Sequence, residues 1–187
     1  SGDISNKFES ILRIIDLNAG LWMHSGPGHV NDMDMLQVGR GMSYEEDKAH
    51  FTMWCIMNSP LLAGNDLRSM SKETVGILTN KEIIALNQDP LVYQARRLID
   101  TGDLEVWVKP LISTMSGKVA VTLLNRSDKK QTITFPLDSV GINAAKGYSM
   151  RDLWRKEDYQ RSNIEELAFE VEGHGVVVLK IEGTALP

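Results

Sequence analysis

The sequence holds one cysteine, Cys55, so no disulfide can form within the chain. Cys55 sits in the apolar helix-like run Trp54-Cys55-Ile56-Met57, and free cysteine is among the most buried residue types. It reads as a packing residue, and it does not fix the compartment. No run approaches the roughly 18 apolar residues needed to span a bilayer. Basic residues are not in excess: 20 Lys and Arg stand against 25 Asp and Glu, a net charge of −5. That balance gives no reason to expect nucleic acid or an anionic membrane as partner. The four histidines, His24, His29, His50 and His174, show no metal-ligand spacing, and no metal or cofactor is expected. The chain starts Ser1-Gly2-Asp3 without methionine or a recognisable leader. That start fits a fragment or a processed chain, so the missing leader says little about targeting.

Two patterns divide what is present. Up to about residue 92 the chain reads as helices separated by short apolar or glycine-rich links. Phe8, Ile11, Leu12 and Ile15 fall on one helical face, with Ser5 as its cap. Ser43 and Glu46 have the spacing of a capping box ahead of a helix that turns Phe51, Trp54 and Cys55 inward. Ser71 and Asn80 look like caps of two short helices, the first with Val75 and Leu78 as its apolar residues, the second with Ile83 and Ile84. Leu21-Trp22-Met23 and Leu61-Leu62-Ala63-Gly64 read as short buried strands, so strand, loop and helix alternate as in a parallel α/β fold. From about residue 96 the period becomes two. Leu104, Val106 and Val108 alternate with Glu105 and Trp107, and Val119, Val121 and Leu123 with Ala120 and Thr122. Residues 131–135, 167–171 and 176–181 continue the pattern. Turn signals lie between them at 101–103, 116–118, 125–130 and 173–175. Short strands so spaced predict an antiparallel sandwich.

The segment with most chemical content is 26–36, Gly-Pro-Gly-His-Val-Asn-Asp-Met-Asp-Met-Leu. A sharp turn is followed by Asn31, Asp32 and Asp34 among Met33, Met35 and Leu36. Carboxylates within an apolar run are costly to bury unless they are hydrogen-bonded or do chemistry. Asn31 and Asp32 read as residues that fix the loop. A calcium loop is a poor match, because the EF-hand pattern needs more oxygen ligands, a central Gly and a terminal Glu. Trp107 and Trp154 could stack on sugar, although sheet packing is the commoner role of a strand tryptophan.

This segment resembles the GPGGWNDPDML loop of glycoside hydrolase family 27, the α-galactosidases (melibiases) and α-N-acetylgalactosaminidases. The likeness continues in order through Ser43-Tyr44-Glu45-Glu46, Ala49-His50-Phe51, Met53-Trp54, Ser59-Pro60-Leu61-Leu62, Asn65-Asp66-Leu67-Arg68 and residues 84–91. It extends over Arg151-Asp152-Leu153-Trp154 and residues 173–179. His29-Val30 replaces the family's usual Gly-Trp, and Met33 its usual Pro. The resemblance implies the C-terminal part of a (β/α)₈ TIM barrel over residues 1–95, then an antiparallel β-sandwich over 96–187. The class is thus α/β plus all-β, and only the second half of a family member is covered.

The resemblance also implies roles. Ser1-Gly2-Asp3-Ile4 is similar to the end of the family's Arg-Thr-Thr-Gly-Asp-Ile motif, whose aspartate is the general acid/base, and this makes Asp3 the candidate catalytic residue. Asp34 and Met35 match residues that line the galactose pocket. The family nucleophile belongs to a Lys-x-Asp strand end. No such strand end occurs here, since Lys7-Phe8-Glu9 lies in a helix pattern. The chain alone is therefore not expected to complete a reaction. The implied partners are a terminal α-galactoside and the first half of the barrel, on the same or another chain. A non-catalytic carbohydrate-binding module, or α-N-acetylgalactosaminidase or β-L-arabinopyranosidase activity in the full protein, are the alternatives. A secreted, periplasmic or lysosomal setting follows from the resemblance alone.

Overall fold

The computed structural model describes residues 2–112 and 117–186. The chain divides into two compact units, Ser1–Arg96 and Arg97–Pro187. The first contains four helices: α1 (Phe8–Ala19), α2 (Tyr44–Ile56), α3 (Lys72–Leu78) and α4 (Lys81–Asn87). Helix α1 buries Phe8, Ile11, Ile14 and Ile15. Its N-cap is Lys7, not Ser5, and no side chain caps it. Ser5 instead donates its amide to the Ser10 hydroxyl at 3.1 Å.

Helix α2 opens on the expected capping box: Ser43 accepts from the Glu46 amide, and Glu46 accepts from the Ser43 amide. From Ala49 to Ile56 every residue of α2 is buried. Ser71 caps α3 through the Thr74 amide. Asn80 caps α4 through the amides of Glu82 and Ile83. Such caps each contribute about 1 kcal/mol. The buried apolar residue of α3 is Ile77, whereas Val75 is exposed.

Two strand expectations in this unit need correction. Leu21-Trp22-Met23 is no buried strand. Residues 22–24 form a 3₁₀ turn, and Met23 is 68% exposed. The Trp22 ring instead lies beneath the Arg96 guanidinium, 5.1 Å away. Three apolar residues have no period, and here they form surface rather than core. Residues 61–64 make one parallel bridge, Leu36 to Ala63, with the Leu36 amide donating to the Leu62 carbonyl at 2.8 Å. Gly64 is required beside it, because any Cβ there would run into the Leu36 carbonyl and the Met35 sulfur.

The second unit is built from antiparallel strands. They are β1 (Arg96–Asp100), β2 (Leu104–Pro110), β3 (Gly117–Asn125), β4 (Gln131–Pro136), β5 (Tyr148–Asp152), β6 (Glu157–Ser162), β7 (Glu166–Val171) and β8 (Val176–Gly183). A six-stranded sheet has the order β1-β2-β3-β8-β5-β6, and β4 pairs with β7 in a two-stranded sheet. The core between them includes Val106, Val121, Leu123, Ile133, Phe135, Tyr148, Leu179 and Ile181. Of the predicted turn at 116–118, Ser116 lies outside the described residues, while Gly117 and Lys118 already belong to β3. Strand β2 is buried on both faces: Glu105 and Trp107, which alternate with Val106 and Val108, are as enclosed as those valines, and Lys109 is buried too. The Trp107 indole is thus a packing group, fully buried, with its Nε1 donating to Glu105 Oε2 at 2.7 Å. Trp154 follows β5 in a turn and is half-buried.

Candidate functional site

The loop 31–37 is held from several sides at once. Asn31 Nδ2 donates to the Leu21 carbonyl at 2.9 Å and to Gln94 Oε1 at 2.8 Å. Asp32 Oδ1 accepts the Asp34 amide at 2.8 Å. The Met33 amide donates to Ser59 Oγ at 3.0 Å. Asp34 has φ +79°, a left-handed conformation that costs a non-glycine residue about 1–3 kcal/mol. Its surroundings impose it. The Asp34 carbonyl accepts from Trp54 Nε1 at 2.7 Å, and its Oδ1 accepts the Met35 amide at 2.7 Å. Its other carboxylate oxygen, Oδ2, accepts the Ile4 amide at 2.9 Å, across 30 positions of sequence.

That last bond joins the peptide after Asp3 to the acidic loop. Asp3 itself is exposed, as are Asp32 and Met35, and Asp34 is half-buried. Met35 Sδ lies against Gly64. Two residues that the sequence did not single out for the site prove to hold it. His50, fully buried on α2, accepts the Gln37 amide on Nε2 at 2.9 Å. One helical turn later Trp54 supplies the indole that holds the Asp34 carbonyl, and the two rings meet edge-on with centroids 4.1 Å apart. A His and a Trp at i and i+4 share a helix face, and this was the one signal available. Among the described residues no group of three His, Cys, Asp or Glu side chains could hold a metal ion.

Residues 1–89 match the family model described as "Alpha galactosidase A". Residues 101–181 match the one described as "Alpha galactosidase C-terminal beta sandwich domain". An α-galactosidase A from Cellvibrio japonicus is 46% identical over 91% of this chain and 44% of its own length. The crystal structure of α-galactosidase I from Mortierella vinacea superposes with a TM-score of 0.88 at 31% identity, covering 94% of this chain and 45% of that one. The chain belongs to glycoside hydrolase family 27. It corresponds to the family's C-terminal part and spans less than half the length of these relatives. The family is not confined to one sugar: a GH27 β-L-arabinopyranosidase from Geobacillus stearothermophilus superposes with a TM-score of 0.86 at 26% identity, covering 97% of this chain and 43% of that one.

One departure from the usual family 27 loop, Met33 for proline, has a local consequence. The Met33 amide donates to Ser59, a bond that proline at this position could not make. His29 closes a tight turn with Gly26, each amide donating to the other's carbonyl at 2.9 and 3.0 Å. Gly28 within that turn has φ +88°.

Two buried groups behind this family 27 loop titrate in opposite senses. Burial pushes His50 down from 6.5 to about 3, so it is neutral and its Nε2 is free to accept. Burial, opposed by the hydrogen bond from the Gly39 amide, pushes Asp47 up from 3.8 to about 6. Stability follows the difference in bound protons between unfolded and folded chains. As pH falls from 6.5 to 3, the unfolded chain protonates at His50 and the folded one does not, so stability is lost. Between pH 6 and 3.8 the folded chain protonates at Asp47 and the unfolded one does not, so stability is gained. The two slopes oppose each other over the shared window. His50→Gln should therefore leave the Asp47 slope alone: relative to wild type, stability rises by up to about 1.4 kcal/mol per pH unit on acidification through that window. Asp47→Asn should do the reverse. Urea titrations at a series of pH values measure both, and parallel profiles for the variants and wild type would refute the assignment.

Proposed function

We propose that this chain carries the acid/base side of a retaining α-galactosidase site, with Asp3 as proton donor and Asp34 and Met35 at the sugar. The observation that supports this is the Ile4 amide held by Asp34 Oδ2 at 2.9 Å, which ties the backbone beside Asp3 to the acidic loop. A retaining glycosidase needs two carboxyl groups about 5–5.5 Å apart across the scissile bond. In this reading Asp3 gives its proton to the departing oxygen as the other carboxylate attacks the anomeric carbon. It then removes a proton from the water that releases the sugar. Asp34, already fixed by its amide contacts, holds the polar network, and the exposed Met35 packs against the apolar face of galactose.

Residues 1–95 are assigned to the catalytic barrel and 96–187 to the sandwich. The attacking carboxylate would come from the remainder of a longer protein. Its packing would cover apolar side chains of the first unit such as Met23, Leu62 and Leu67, which are 68%, 59% and 61% exposed.

The test is a comparison of aryl glycosides with the longer protein, following the product anomer by proton NMR. The expected result is hydrolysis of the α-galactoside in preference to the α-N-acetylgalactosaminide and β-L-arabinopyranoside, with α-galactose appearing first. Inversion, or preference for either competitor, would overturn the reading.

A further inference from the structure

Trp54 lies outside the Asp3, Asp34 and Met35 set, yet its indole reaches the backbone at the centre of it. The side chain is fully buried, and its one polar atom, Nε1, donates to the Asp34 carbonyl at 2.7 Å. Asp34 is the junction of the site. Its amide donates to Asp32 Oδ1 at 2.8 Å, its Oδ1 accepts the Met35 amide at 2.7 Å, and its Oδ2 accepts the Ile4 amide at 2.9 Å. Two of these contacts stay within the loop. The other two reach far along the chain: Trp54 is 20 positions away on α2, and Ile4 is 30 positions away, beside Asp3.

The indole bond secures that junction. Asp34 has φ +79°, a conformation that a residue with a side chain keeps only where its surroundings over-determine it. Without the indole N–H, the Asp34 carbonyl loses its donor and the backbone is free to turn to an ordinary φ. The Cβ turns with it, and the carboxylate then swings away from the Ile4 amide. The platform behind the bond is stiff. Every residue of α2 from Ala49 to Ile56 is buried. His50, one turn before Trp54, accepts the Gln37 amide on Nε2 at 2.9 Å. One helix face therefore grips the loop at both Asp34 and Gln37. A group held from a packed helix keeps its geometry more closely than one held by loop contacts alone.

We infer that Trp54 is a positioning residue for the acid/base step: its indole N–H, acting through the Asp34 carbonyl, fixes the carboxylate that holds the Ile4 amide and so sets where Asp3 stands. The inference rests on the proposed role of Asp3. It adds that the proton donor is placed from behind the loop, by a fully buried side chain on α2.

The experiment compares kcat/KM, which reports glycosylation alone, for methyl α-galactoside and dinitrophenyl α-galactoside in the longer protein. The methyl substrate needs its leaving oxygen protonated, and the dinitrophenyl substrate does not. Trp54→Phe keeps a ring and removes the N–H. Replacing Trp54 by 3-benzothienylalanine, with sulfur for the indole nitrogen, removes the N–H at nearly constant shape and reads the same bond if Trp54→Phe does not fold. The methyl-to-dinitrophenyl ratio is expected to fall about tenfold in either, part of the 10²–10⁴-fold that a positioned general acid contributes. Loss of folded protein would lower both values in proportion and leave the ratio alone. Ser43→Ala, which removes the cap of the same helix, should accordingly lose stability with the ratio unchanged. In Asp3→Asn, adding Trp54→Phe should lower the ratio no further, because no acid remains to be positioned. A wild-type ratio in the benzothienyl variant, with the ratio lowered in Asp3→Asn, would overturn this inference alone. A wild-type ratio in Asp3→Asn would overturn the acid/base reading and this inference with it.

Discussion

Asp3→Asn in the longer protein is expected to lower turnover of alkyl α-galactosides by about 10²–10⁴-fold, the usual contribution of a positioned general acid. Affinity for galactose should change little, because the side chain keeps its size and the Ile4 amide still meets Asp34. The leaving group supplies the discriminating measurement. An aryl leaving group of low pKa departs without protonation, so its glycosylation step should be nearly spared while deglycosylation, which needs the same residue as base, becomes slow. A burst of phenolate followed by a slow steady state is the predicted signature. Azide, which needs no deprotonation before it attacks, should restore the steady state and appear in the product as a glycosyl azide. A variant damaged only in folding would show neither the burst nor the rescue. Near-normal hydrolysis of the alkyl substrate would remove Asp3 from the mechanism.

The features legible in the sequence were those whose cause is local. Ser43 with Glu46, Ser71 and Asn80 each placed a helix start, because a cap acts on amides two or three residues away. Ser5 failed as a cap because the helix begins later, at Phe8, with Lys7 in the N-cap position. Period-two alternation found β2, β3, β4, β7 and β8. It missed β1, β5 and β6. Of these, β1 and β6 form the edges of the six-stranded sheet, and edge strands are kept polar and charged against unwanted pairing. Their sequences, Arg-Arg-Leu-Ile-Asp and Glu-Asp-Tyr-Gln-Arg-Ser, have little apolar signal to read.

The acidic loop was visible because carboxylates stood among apolar residues. What fixes that loop was not. The Ile4 contact bridges 30 positions, and the Met33 contact to Ser59 bridges 26. No spacing rule reaches so far. The left-handed backbone of Asp34 is imposed by Trp54 and by the residue's own carboxylate, and its sequence neighbours did not announce it.

The second large effect concerns stability and rests on the residue that alternation misjudged most. Glu105 is fully buried in β2. Its Oε1 accepts from Arg97 Nη1 at 2.8 Å and Arg126 Nη1 at 2.7 Å, and its Oε2 accepts from Trp107 Nε1 at 2.7 Å. The Arg97 guanidinium also lies 5.5 Å from the centroid of the Trp107 ring. One carboxylate therefore satisfies three donors, Trp107 on its own strand, Arg97 in β1 and Arg126 just after β3. Glu105→Leu should cost about 3–5 kcal/mol, since it removes the buried anion shared by two largely buried guanidinium groups and an indole N–H, although Arg97 keeps its ion pair with Asp100 at 3.3 Å. That is a large share of the 5–15 kcal/mol typical of a domain. The cost should come mainly from two buried cations whose charge is no longer balanced by Glu105 rather than from a lost attraction. Adding Arg97→Met and Arg126→Met to Glu105→Leu should then recover most of it, because replacing a whole buried ionic cluster with apolar groups is often close to neutral. Urea denaturation of the single and triple variants separates the two accounts. If the triple variant is less stable than Glu105→Leu by the sum of further losses, the three side chains contribute independently, and the explanation from unpaired buried charge is wrong.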